Sequence, residues 1–196
     1  FSLDSVITAI GMAEHVPVMV LAVVIAAFNQ LSGINAVLYY APRIFKMAGF
    51  AEGLLTSTAV GFSMLVFTML ALVVIDHFGR RKLMIAGSIG YILSLGAIAW
   101  AFYTYGDQFE AFVENGTEVS GVGSQVVLWG LIAFVAAHGF GQGAVIWVYI
   151  SGVFPNRVRA RGKALGSFTH WFMAAVISWS FPMFAEVNVG HIFSFY

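Results

Sequence analysis

The sequence contains no cysteine. That excludes a disulfide framework, a thiolate nucleophile and any cysteine-based metal site. Charge is almost as scarce. Only 9% of residues are charged, against about 25% in an ordinary soluble domain. Nine Lys and Arg balance nine Asp and Glu, so there is no basic surface for nucleic acid. After Glu118 the sole acidic residue is Glu186, so no Ser-His-Asp set can be assembled there. His138 and His170 have no carboxylate or second His at i+3 or i+4, and no metal site, cofactor or enzymatic activity is expected. No basic region and no cleavage-like segment precede the first apolar run, so no signal peptide is expected.

Apolar side chains are in excess: 60% of residues are hydrophobic. No soluble fold of 196 residues hides that much, and an all-α integral membrane protein is the expected class. Apolar runs predict spans at 17–41, 54–75, 83–103, 125–153 and 164–185, with a sixth beginning at 191–196. Pro17 suits a first helical turn, Pro42 is expected to stop the first span, and Pro182 to bend or end the fifth. Trp100, Tyr103 and Tyr105 read as an interfacial belt. Residues 106–123 are expected to be a polar loop carrying Asp107, Glu110, Glu114 and Glu118.

Seven of the nine basic residues sit in two turns: Arg80, Arg81 and Lys82, then Arg157, Arg159, Arg161 and Lys163. The positive-inside rule places both turns, and the amino terminus of this segment, in the cytoplasm, with the acidic loop outside. Asn115-Gly-Thr117 in that loop matches a glycosylation sequon, a pattern that arises often by chance.

The chain is organised around residues 29–40, NQLSGINAVLYY. Two Asn, a Gln and a Ser lie inside a run long enough to cross a bilayer, where unpartnered amides cost several kcal/mol. Asn29, Gln30 and Asn35 therefore face other helices or a watery cavity. Ser32-Gly33 can loosen the helix, and Tyr39 and Tyr40 follow. Residues 139–144, GFGQGA, fit a loose dinucleotide fingerprint. They lie inside an apolar span, where small residues serve close packing or ligand approach. Trp147 stands four residues after Gly143 on the same face. It is either core or a flat surface for a sugar ring. His170-Trp171 is likewise either core or site. Asp76 with Gly79, Arg80 and Arg81 either sets topology alone or forms a latch at a helix end.

The order of NQLSGINAVLYY, DHFGRRK, WVYISGVFPNRVRARG and HW resembles the sugar porter family of the major facilitator superfamily. The resemblance covers nearly the whole chain but only the carboxy-terminal half of such a carrier. It implies a six-helix bundle with its last helix truncated, corresponding to the seventh through eleventh helices and the start of the twelfth. In that family the missing amino-terminal half completes a monosaccharide site between two bundles that rock in the bilayer of the plasma (cell inner) membrane. The resemblance assigns sugar contacts to Asn29, Gln30, Asn35, Gly143, Trp147, His170 and Trp171. It gives a closing role to Tyr39 and Tyr40, and a cytoplasmic latch to Asp76, Gly79, Arg80, Arg81 and Arg159. Three departures stand out. Met64 replaces an Asn, Gly152 replaces the Glu that accepts in the latch, and Gly139 replaces an acid found in some members. The expectation is hexose or pentose transport, with a polyol facilitator or a non-transporting sugar sensor as alternatives.

Overall fold

The structure is a computed structural model that describes residues 16–50, 53–115, 121–154, 156, 159–185 and 189–196. The amino-terminal stretch before Val16, Gly116 and Thr117 of the sequon, Arg157 and Glu186 lie outside the described residues. Every regular element among the described residues is helical. In chain order these are α1 (Val16–Leu31), α2 (Ile34–Met47), α3 (Gly53–Phe78), α4 (Arg80–Asn115) and α5 (Gly121–His138). A π turn follows (Gly139–Gly143), then α6 (Ala144–Val153), α7 (Arg159–Ala185) and α8 (Val189–Phe195).

Among the described residues, four stretches are long and apolar enough to cross a bilayer: Met19–Met47, Thr58–Phe78, Arg80–Asn115 and Gly121–Val148. In α7, Ser167, Thr169, His170, Ser178 and Ser180 dilute the apolar side chains, and it is not among them.

In lipid, apolar side chains gain little by leaving the surroundings, so close van der Waals packing must hold helices together. The α4–α5 contact uses small residues for this purpose. A Cβ on Gly141 would sit 2.8 Å from the Gly87 Cα, and one on Gly90 would sit 2.6 Å from the Ala137 Cβ. Two backbones thus cross at the π turn with no side chain between them. The main core joins Val37 and Phe45 of α2, Ile98 and Phe102 of α4, Leu131 and Phe134 of α5, and Phe181 of α7. A smaller cluster of Ala22, Ala26, Ile146 and Phe154 ties α1 to α6. By contrast α3 is open on most of its surface, with Phe62 and Val73 exposed.

Three boundaries differ from the sequence reading. Pro42 does not stop a helix: α2 continues through it to Met47. The proline removes one backbone hydrogen bond, but Ala41, Ile44, Phe45 and Ala48 are all buried, and their packing carries the helix past the lost bond. The polar segment is not a loop at its start, because α4 runs on to Asn115. Phe102, Tyr105 and Phe109 recur at helical spacing, and Phe109 packs edge-on against Phe102 at 5.3 Å. The first basic turn shrinks to Gly79, which takes φ 80° between α3 and α4. That left-handed conformation is strained for any residue with a Cβ.

Candidate functional site

The site begins where the first span breaks. The Ser32 hydroxyl donates to the Asn29 carbonyl at 2.6 Å, and the Gly33 N–H donates to the Gln30 carbonyl at 2.9 Å. Gly33 takes φ 76° and starts α2. The break turns the last residues of α1 towards the first of α2. Asn35 Nδ2 then donates to Gln30 Oε1 at 2.6 Å. A continuous helix would hold these side chains five positions apart on different faces.

Gln30 is completely buried. Its Nε2 lies 2.7 Å from His170 Nε2 and 3.0 Å from Nδ1. An amide nitrogen only donates, so the imidazole offers a bare nitrogen. The His170 ring in turn lies 4.9 Å from that of Trp147, centroid to centroid. Asn35, Gln30, His170 and Trp147 therefore form one chain of contacts drawn from α2, α1, α7 and α6. Burial grades along it: Gln30 and His170 are buried, Asn35 is half-buried, and Trp147 is 39% exposed with part of its ring open. A primary amide has two N–H groups and two acceptor pairs, so both amides keep capacity beyond these bonds. An uncharged set of donors and acceptors beside an open aromatic ring suits a neutral, hydroxyl-rich ligand.

The other residues singled out by the sequence are distributed around this chain. Trp171 meets the His170 ring edge-on at 5.4 Å but is 59% exposed. Tyr40 donates to the Ser178 carbonyl at 3.0 Å and stacks on Phe181 at 4.8 Å, which anchors α2 to α7. Tyr39 is exposed. A Cβ on Gly143 would meet the His138 ring at 3.0 Å, so its smallness accommodates that histidine.

Asn29 stands apart. It is 6% exposed, and neither amide atom has a partner. It lines a separate hollow of about 1060 Å³ among α1, α4, the π turn and α8, together with Ser88, Tyr91 and Gln142. Gln30, Asn35, Trp147 and His170 do not line that hollow.

At the other end of the bundle Asp76 closes α3, and exposed Arg80 and Arg81 open α4. Arg159 Nε donates to the Phe154 carbonyl at 3.2 Å. A Cβ on Gly152 would lie 3.4 Å from Arg80 Nη1, so the α4 start and the α6 end are neighbours.

Two contacts escape the sequence. Tyr91 Oη and His138 Nδ1 share a buried hydrogen bond that ties α4 to α5 one residue before the π turn. Gln142 Nε2 donates to Ser88 Oγ at 2.9 Å, so the π turn is held from both sides. A Cβ on Gly139 would meet Thr68 Oγ1 at 2.9 Å and the Met64 carbonyl at 3.1 Å, leaving no room for an acidic side chain. Among the described residues no three His, Asp or Glu cluster as metal ligands would.

The comparisons with known proteins agree with one another. The family model described as "Sugar (and other) transporter" matches residues 2–196. The D-xylose-proton symporter of Escherichia coli K12 is 36% identical over 170 residues, which are 86% of this chain and 31% of that protein. The arabinose-proton symporter of Bacillus subtilis is 34% identical over 180 residues, 91% of this chain and 35% of that one. Polyol transporter 5 of Arabidopsis thaliana is 36% identical over 180 residues, 90% and 32% respectively. A solved structure of the proton:xylose symporter XylE, of the major facilitator superfamily, bound to 6-bromo-6-deoxy-D-glucose superposes with a TM-score of 0.74 at 33% identity. It covers 90% of this chain and 36% of that one. The chain thus spans about a third of the length of the relatives it matches. With a family model matched across all but its first residue, the chain belongs to the sugar porters, integral membrane transporters of the major facilitator superfamily.

Proposed function

We propose that this chain is the carboxy-terminal bundle of a carrier that moves a neutral monosaccharide, a hexose or pentose, by alternating access. The contact chain Asn35–Gln30–His170–Trp147 carries the reading: buried uncharged hydrogen-bonding groups ending at an open aromatic ring. An amino-terminal bundle would supply the facing wall, in a plasma membrane, with both basic turns in the cytoplasm. The test is uptake of labelled hexoses and pentoses by vesicles containing the complete carrier. No uptake and no binding of either class sinks the reading.

In this arrangement the sugar ring rests on the open part of Trp147. Trp147→Ala then lowers apparent affinity about five- to tenfold, as loss of an aromatic contact worth ~1–1.4 kcal/mol does. Unchanged affinity in that variant assigns Trp147 to packing.

The cytoplasmic latch differs from the family pattern at Gly152, whose open side faces the Arg80 guanidinium. Gly152→Glu supplies a carboxylate partner for it. A pair of this kind contributes up to ~1 kcal/mol, about a fivefold population shift towards the outward-facing state. Maximal transport rate is expected to fall in Gly152→Glu and not in Gly152→Lys, which sets like charges together. Equal rates in the two variants contradict the latch.

Polyols are a second substrate class, favoured by the 36% identity to a polyol transporter. Amides and an aromatic ring do not by themselves distinguish the two classes. Competition of labelled glucose by inositol decides between them.

A further inference from the structure

We infer that Tyr91 is a positioning residue: from α4 it ties the break in the first span to the π turn, and so fixes how the amide end of the sugar site stands relative to Trp147. The inference rests on the sugar-carrier reading and adds a residue outside the contact chain.

Two helices are interrupted beside the site. Asn35 lies beyond the Ser32–Gly33 break, and Trp147 lies beyond the π turn. Past such an irregularity the backbone ladder alone does not fix the direction of the next segment. Packing from a third element has to.

Tyr91 stands between the two interruptions. Its hydroxyl shares a hydrogen bond with His138 Nδ1, and its ring runs nearly parallel to the imidazole, at 9° and 6.1 Å between centroids. The hydroxyl also hydrogen-bonds the Ser32 side chain, and Ser32 and Tyr91 line one hollow. A phenol has one proton and two acceptor pairs, so it can serve both partners at once. Phe134 packs against the ring at 4.9 Å, and Tyr91 is buried, so the side chain is held where it is.

Each partner is fastened to its own interruption. The Ser32 hydroxyl donates to the Asn29 carbonyl inside the broken turn. His138 is the last residue of α5, and its ring fills the space that a Cβ on Gly143, at the end of the π turn, would need. One turn earlier on α4, Ser88 accepts from Gln142. That bond reaches the π turn alone, whereas Tyr91 reaches both interruptions.

The test is a double-mutant cycle on the complete carrier, read as equilibrium binding of labelled D-glucose or D-xylose, with a melting curve for each variant. Ser32→Ala, His138→Phe and Tyr91→Phe are each expected to lower affinity about fivefold, as loss of one buried hydrogen bond does. Any one of them severs the link. The Ser32→Ala/His138→Phe double variant therefore loses less than tenfold, where independent effects would multiply to about 25-fold. The same holds for Tyr91→Phe with Ser32→Ala, which completes the cycle if His138→Phe does not fold. Ser88→Ala and Ser32→Ala, by contrast, multiply. Losses of tenfold or more in the linked pairs overturn the inference. So does a Tyr91→Phe carrier that melts lower but binds sugar as the unmodified carrier does. Either result with sugar still bound leaves the sugar-carrier reading standing. Absence of binding by any monosaccharide in the unmodified carrier overturns both.

Discussion

Replacing Gln30 with alanine is expected to reduce sugar affinity by about 30- to 150-fold in the complete carrier, from ~2–3 kcal/mol of lost hydrogen bonding. Two partners are orphaned at once. Asn35 loses its acceptor and His170 loses its donor. Each orphaned buried group costs ~1–3 kcal/mol, and water entering from the open side relieves part of that. Asn35→Ala removes only one of these bonds, from a half-buried residue, and is expected to cost about tenfold. Equilibrium binding of labelled sugar to the purified carrier measures both effects, with a melting curve beside each to separate lost affinity from lost folding. Wild-type affinity in both variants removes the amide chain from the binding site.

The second large effect concerns stability. Gly141→Val is expected to lower the melting temperature by roughly 4–8 °C, from ~2 kcal/mol of overpacking. A Cβ at position 141 meets backbone: the Gly87 Cα at 2.8 Å and the Leu83 carbonyl at 3.0 Å. Backbone cannot rotate aside as a side-chain tip can, so α4 and the π turn must separate. Separation also stretches the Gln142–Ser88 hydrogen bond. Gly96 lies on the same helix as Gly87 with nothing near its missing Cβ, and Gly96→Ala should melt with the unmodified protein. Melting of Gly141→Val at the unmodified temperature would show that the crossing is looser than these distances indicate.

The helical class and the broken first span were legible because they follow from local chemistry. Apolar runs of bilayer length leave few alternatives, and Ser32-Gly33 beside amides marks a weak point in a helix. Pro42 misled because its neighbours' burial, a tertiary property, outweighs one lost backbone bond. Residues 106–115 misled because their acids suggest a loop, whereas Phe102, Tyr105 and Phe109 pack together at helical spacing.

Within the candidate site, Gln30, Asn35, Trp147 and His170 could be marked as residue types out of keeping with lipid. Their joining into one chain could not, since it depends on how α1, α2, α6 and α7 pack. Asn29 shows the same limit. It adjoins Gln30 in sequence, yet one residue of helical rotation, about 100°, turns it to the hollow lined by Ser88, Tyr91 and Gln142. The Tyr91–His138 bond links residues 47 apart and has no signature in either neighbourhood.

The break at Ser32–Gly33 has a consequence for biosynthesis. At 14 residues, α2 measures about 21 Å, shorter than the ~30 Å hydrocarbon layer. Both pieces precede α7 in the chain, and the groups that satisfy Gln30 and Tyr40 lie on α7, 140 and 138 residues later. Until that helix is made, Gln30 Nε2 and the Tyr40 hydroxyl lack these partners. The broken span therefore settles only after α7 has joined it.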